Sequence, residues 1–193
     1  MQAMETEVKI RVRDREGLEH SLQRMGFVCV TTRTLERNTL YDTPARTLRG
    51  SRQILRIREY GEKWVLTHKS VPSDAAEGRH KSRVETETLV EDGALLAKIF
   101  EALGFGPVFV YEKWRTEWAD AEGHCVLDET PLGLYAELEG PSPWIDATAE
   151  KLGIDESEFI TLSYGRIFER WREQAGAEAK DFTFAEIPEG FRR

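Results

Sequence analysis

Only two of the 193 residues are cysteine, Cys29 and Cys125, and neither belongs to a CxxC pair or lies beside a histidine-rich tract. A zinc ribbon, a redox dithiol and a disulfide-stapled fold therefore lack the ligands they need. Both thiols are expected to be reduced and mostly buried. No apolar run approaches the roughly 20 residues that cross a bilayer as a helix, and the first residues lack the basic-then-apolar order of an export signal. The expectation is a cytoplasmic protein without a membrane partner. Basic residues are also in deficit, with 27 Lys and Arg against 35 Asp and Glu, for a formal net charge of −8. Such a field repels polyanions at long range and argues against nucleic-acid binding by bulk electrostatics. Any anion site has to be local.

What the chain does have is strict alternation. It runs through ETEVKIRVR (5–13), ILRIREY (54–60), KWVLTHK (63–69), SRVETETLV (82–90), VFVYEKWRTEW (108–118), HCVLDET (124–130) and LYAELEG (134–140), the pattern of strands with one face in a core. A less regular strand over 28–41 makes eight. Asp14 can cap a helix that places Leu18, Leu22 and Met25 on one side and stops at Gly26. Asp92 can cap a second, with Leu95, Leu96, Ile99 and Leu103 apolar and Gly104 at its end. The series ETE, helix, GF, long strand and two further strands occurs from Glu5 and again from Glu85, which reads as two β-α-β-β-β halves. After Gly140, residues 141–154 and 155–174 read as amphipathic helices with Asp146 and Asp155 as caps. Residues 1–174 thus form one domain, and 175–193 a tail, either loose or docked as a strap.

Alternation also sorts the charges. One face carries Glu5, Glu7 and Lys9, then Arg56 and Arg58, Lys69, then Lys81, Arg83, Glu85 and Glu87, then Lys113 and Arg115, Asp128, and Glu137 and Glu139. The other face carries Val8, Ile10, Leu55, Ile57, Trp64, Leu66, Val84, Trp114, Leu127 and Leu138. A half-solvated sheet explains any single strand. It does not explain the repetition, because like charges at i and i+2 stand only about 7 Å apart and repel unless something lies between them. Between carboxylates that something is most simply a hard divalent cation, magnesium or manganese. Between bases it is a multiply charged anion onto which arginines fork. Eight strands can close into a barrel, and a face this polar can line a wet interior. The fold class expected is α+β, an eight-stranded antiparallel barrel with a charged tunnel and helices packed outside.

These residues carry a resemblance. ETEVK supplies an ExExK signature, and YDTPARTL, LRIR, LTHK, RVETE, LGF, YEKWR, LDETPLGLYAELEG and a later SY follow in order from Met4 to about Tyr164. The sequence resembles the CYTH superfamily, the triphosphate tunnel metalloenzymes, which include class IV adenylyl cyclases, thiamine triphosphatases and inorganic triphosphatases. Its wording is most similar to the bacterial cyclase-like subgroup. The resemblance implies metal ligation by Glu5, Glu7, Glu137 and Glu139 with Asp128 as a further ligand. It implies triphosphate binding by Lys9, Arg56, Arg58, Lys69, Arg83, Lys113 and Arg115, with Glu85, Glu87 and Lys9 at the chemistry. The implied cofactor is magnesium or manganese. The implied substrate is ATP, thiamine triphosphate or inorganic triphosphate, and a homodimer is compatible with it. Hydrolysis ranks ahead of cyclisation of ATP, and turnover ahead of binding alone, since binding alone would not need the carboxylates. His68 points outward by alternation and reads as structural, whereas Tyr164 could face the ligand or pack a helix. Replacing Glu7 or Glu139 by Gln is expected to leave the fold intact or stabilised.

Overall fold

The computed structural model describes residues 2–72, 78–187 and 189–191. Eight strands, β1 (Gln2–Arg11), β2 (Val28–Asp42), β3 (Ile54–Tyr60), β4 (Lys63–Ser70), β5 (Lys81–Val90), β6 (Gly106–Ala119), β7 (His124–Thr130) and β8 (Gly133–Glu139), close into a barrel in the order β1-β5-β4-β3-β2-β6-β7-β8. Every neighbouring pair is antiparallel. Helices α1 (Arg15–Arg24), α2 (Thr47–Gly50), α3 (Gly93–Ala102), α4 (Ser142–Lys151) and α5 (Tyr164–Ala175) are added. Apart from the single turn α2, the chain order is the expected pair of β-α-β-β-β halves. Asp14 and Asp92 cap α1 and α3 by accepting from the Gly17 and Leu95 amides, and the chain leaves both helices through glycines with positive φ, Gly26 and Gly104, where a side chain would be strained.

Closure depends on β1 serving two neighbours. Glu7 is opposite Lys81 of β5 on one side and Glu139 of β8 on the other. Past Glu7, β5 gives way to Ile160, which exchanges both backbone hydrogen bonds with Lys9 (3.1 and 2.8 Å). Alternation then turns the barrel inside out. Val8, Ile10, Leu127 and Leu138 point outward into a core with Leu22, Phe27, Trp118, Trp144 and Ile145, while the charged residues point inward. A second cluster of Leu132, Tyr135, Tyr164, Phe168, Phe182 and Ile187 gathers at one end of the barrel.

The segment after α5 docks. The Phe182 amide donates to the Val110 carbonyl (2.9 Å), its carbonyl accepts from the Glu112 amide (3.0 Å), and its ring is buried. Several sequence expectations are corrected. Asp146 lies inside α4, whose first turn is set by Pro141 and Pro143, and it pairs instead with Arg79 and His80. Asp155 caps only a 3-10 turn over 156–158; the long helix starts later, where the Ser163 side chain accepts from the Arg166 amide. On α3 it is Leu96 and Phe100 that turn toward the barrel, with Phe100 edge-on to Tyr41 (5.2 Å), and Leu95, Ile99 and Leu103 are exposed. Helical cover is incomplete elsewhere too. Val28 and Val30 at the start of β2 are exposed, and with them Cys29, which is therefore not the buried thiol expected; Cys125 is buried, and both are free.

Candidate active site

The tunnel is lined by two ionic networks. Near the Tyr164 end, Asp128, fully buried, accepts from Lys113 Nζ (2.8 Å), from Arg115 Nε and Nη2 (2.8 and 2.7 Å) and from the Tyr164 hydroxyl (2.8 Å). Arg115 continues to Glu137 (2.6 Å), which also holds Lys9 (2.6 Å). Lys9 reaches Glu7 (2.9 Å), and Glu7 receives Lys81 (2.5 Å) as well. Across the bore, Lys69 lies between Glu5 (2.6 Å) and Glu85 (2.9 Å). Arg56 lies between Glu85 (3.5 Å) and Glu87 (3.2 Å), and donates to the Tyr111 and Thr67 hydroxyls. Arg58 stands 3.7 Å from Glu36. Arg83 is opposite Glu5 in register, yet its guanidinium donates to its neighbour Ser82's carbonyl rather than to a carboxylate.

Taking this many charges out of water costs several kcal/mol per ion, and an apolar core of equal volume is often as stable. The networks therefore are not what the fold needs in order to fold. Its electrostatics divide the carboxylates. Burial works against the charge of Glu7, but the Lys9, Lys81 and Lys69 ammonium groups together outweigh it and the carboxyl falls to about 2. Glu137 is lowered too, burial again being overcome, here by Lys9, Lys113 and Arg115. Glu139 goes the other way: burial and the adjacent Glu137 raise it, with Glu5 and Glu7 adding to the effect. Glu85 is raised to about 7 by burial, against the pull of Lys69, and its proton is shared toward Glu87, which falls to about 2.

Several tunnel residues escaped the sequence reading. Glu36 and Asn38 are both fully buried. Glu36 accepts from Asn38 (2.8 Å) and sits near Arg58, Lys113 and Arg115, which hold its carboxyl below the usual range in spite of burial. They were hidden because β2 slips register three times, between Cys29 and Thr31, Thr31 and Thr34, and Leu40 and Tyr41, so a fixed period of two fails along it. The i, i+2 pair within LERN was the available signal. Tyr164 is resolved in favour of the tunnel, with the Lys9 and Lys113 ammonium groups both 4.9 Å from its ring centroid. His68 faces away and meets Gln53 (2.9 Å).

One group of carboxylates fits a cation. Oxygens of Glu5, Glu7 and Glu139 lie within 4.8 Å of one another. Glu139 has no Lys or Arg partner among the described residues, and its neighbours push its proton affinity up, so a divalent ion there would relieve a repulsion the protein leaves standing. Hard oxygen donors of this kind suit magnesium or manganese. Glu137 and Asp128 are instead engaged by Lys9, Lys113 and Arg115.

A closed antiparallel tunnel, apolar side out, with an acidic trio facing a cationic wall, defines a class of β-barrel. A CYTH domain profile matches residues 3–160, and the chain belongs to that family. A protein named putative adenylate cyclase from Methanocaldococcus jannaschii is 28% identical over 137 residues, covering 70% of this chain and 76% of that protein. A structure of a putative adenylate cyclase from Vibrio parahaemolyticus superposes with a TM-score of 0.75 at 20% identity, over 86% of this chain and 98% of that one. A Hippeastrum protein, described as a putative adenylyl cyclase with a dominant triphosphatase activity, gives a TM-score of 0.58 at 20% identity over 86% and 96%.

Proposed function

We propose that the chain is a divalent-metal-dependent triphosphatase acting on a small triphosphate bound in the tunnel. The observation that carries this reading is the juxtaposition inside one bore of the Glu5, Glu7 and Glu139 group with the cations Lys69, Arg56 and Lys9. A magnesium or manganese ion held by these three carboxylates would neutralise phosphate charge. The protein's own residues do the rest. Lys9, Arg56, Arg58, Lys69, Arg83, Lys113 and Arg115 bind and align the phosphoryl oxygens, and phosphoryl transfer depends chiefly on such positioning and charge stabilisation. Glu137 and Asp128 hold Lys9, Lys113 and Arg115 in place. Glu85, its carboxyl near 7 and backed by Glu87, is tuned to accept the proton of an attacking water as the new P–O bond forms and the bridging P–O bond breaks.

A second reading uses the same apparatus. In cyclisation a ribose hydroxyl attacks the α-phosphorus of ATP and pyrophosphate leaves; the name of the Methanocaldococcus relative favours it. Supplying ATP, thiamine triphosphate and tripolyphosphate in turn with magnesium or manganese, and scoring phosphate, pyrophosphate and cyclic AMP, separates the two. Phosphate release supports hydrolysis; cyclic AMP with stoichiometric pyrophosphate replaces it with cyclisation. Saturable binding without any product would leave a binding module.

A further inference from the structure

Glu36 stands apart from the other carboxylates of the bore. It projects from β2, on the wall opposite the β1–β8 seam that carries Glu5, Glu7 and Glu139, and it is fully buried. Three cations surround it: Lys113 Nζ lies 3.5 Å from Oε1, Arg58 Nε 3.7 Å from Oε1 and Arg115 Nε 3.7 Å from Oε2. None of them comes within the roughly 2.7–2.9 Å of a charge-assisted hydrogen bond. Oε1 accepts instead from the Asn38 amide (2.8 Å), and Oε2 has no hydrogen-bond partner among the described residues. Asp128 differs: it takes Lys113 at 2.8 Å and Arg115 at 2.8 and 2.7 Å. Burial opposes the charge of Glu36, and Arg58, Lys113 and Arg115 together keep it ionised. An ionised carboxylate thus sits among cations whose donors it does not occupy.

We infer that Glu36 is a positioning residue that gathers Arg58, Lys113 and Arg115 on one wall and, by its own charge, loosens their hold on phosphate so that product leaves the bore. The inference rests on the proposed triphosphate site and adds to it a determinant of release. Attraction between charges falls only as the inverse of distance, so Glu36 draws the three cations together at 3.5 to 3.7 Å without a hydrogen bond to any of them. The same law acts on an anion that those cations receive. It would lie close to a buried negative charge that salt screens little. Cations alone would grip substrate and phosphate product alike; such uniform binding adds nothing to kcat, and a tightly held product makes release limiting. Asp128 and Glu137 are negative too, but removing them would strip hydrogen bonds or ion pairs from Lys9, Lys113 and Arg115. Replacing Glu36 by Gln takes away a charge and no cation's hydrogen bond, since Oε1 can still accept from Asn38.

The test takes wild type, Glu36→Gln and Asn38→Asp through calorimetry with tripolyphosphate in chelator, and through steady-state turnover with magnesium and added phosphate. Thermal melts show that each variant is folded. Glu36→Gln should bind tripolyphosphate about tenfold more tightly, with KM and kcat both about tenfold lower and phosphate a stronger inhibitor. Asn38→Asp, which adds a charge beside Glu36, should weaken tripolyphosphate binding about tenfold. A side chain that merely supported the wall would lose affinity when replaced, so weaker or unchanged binding in Glu36→Gln overturns the inference, and so does tighter binding with kcat unchanged. Wild-type turnover would leave the proposed function standing in either case. Where Glu36→Gln does not fold, Asn38→Asp decides, and unchanged or tighter binding there overturns the inference. Failure of the wild-type protein to bind tripolyphosphate would overturn the proposed function, and the role of Glu36 with it.

Discussion

Glu7 and Glu139 face each other across the β1–β8 seam, and their environments set opposite outcomes for the same replacement. Glu7, with its carboxyl near 2 and lysines on two sides, is stabilised by its charge, so Glu7→Gln should cost on the order of 2 kcal/mol. For Glu7 this differs from the expectation drawn from the sequence, that either replacement leaves the fold intact or stabilised, and the melts below decide between them. Glu139, raised by burial and then by Glu137, should give a Gln variant at least as stable as wild type at pH 8 in chelator. Both should lose metal-dependent turnover; thermal melts beside activity assays check the pair. Glu85 supplies a pH signature. The folded protein keeps that proton between about 4.5 and 7 while the unfolded chain has released it, so stability falls as pH rises through that window. Glu87 acts in another window, its contribution present above 4.5 and lost as pH falls toward 2. Glu85→Gln in metal-free protein should therefore flatten the decline between pH 4.5 and 7 in a series of melting curves. A slope matching wild type would remove Glu85 from the account. Arg58→Ala should weaken tripolyphosphate binding measured by calorimetry, since Arg58 meets Glu36 and Asn38 only at long range, 3.7 and 3.4 Å, and can turn to an anion.

At the scale of elements, legibility followed regularity. The seven strictly alternating strands and the caps at Asp14 and Asp92 could be read because local chemistry and tertiary demand agree there. The bulged β2 broke the period and concealed Glu36 and Asn38. Helix α3 misled for a different reason: ten residues offer apolar side chains around most of their circumference, and the sequence cannot say which stripe meets the barrel. In the tail, composition left docking undecided, and the answer came from Phe182, whose backbone hydrogen bonds extend β6. Phe182→Ala should then destabilise the whole protein by about 3 kcal/mol in denaturant titration, because its ring supports Phe168 and Tyr164 (5.7 and 6.3 Å between ring centroids). A tail that contributed nothing would leave the midpoint unmoved.

For the molecule as a whole, an excess of fixed negative charge surrounds a bore that, on the proposed function, admits a polyanion, so attraction has to come from within. Binding of tripolyphosphate should weaken with added salt less steeply than it would for an exposed basic patch, as buried charges are screened less. Turnover by wild type should cease in excess chelator and return with added magnesium or manganese; persistence in chelator would refute the metal requirement. What remained illegible at this scale was how the two ends of the bore differ, since nothing in a period of two reveals that residue 164 would come back to stand against residues 9, 113 and 128. Tyr164, buried against Lys9, Lys113 and Asp128, narrows that end of the bore. Under the proposed function, reactant and leaving group would then share the opposite end, the fragments of each cycle would back out before the next molecule enters, and released phosphate should act as a competitive inhibitor.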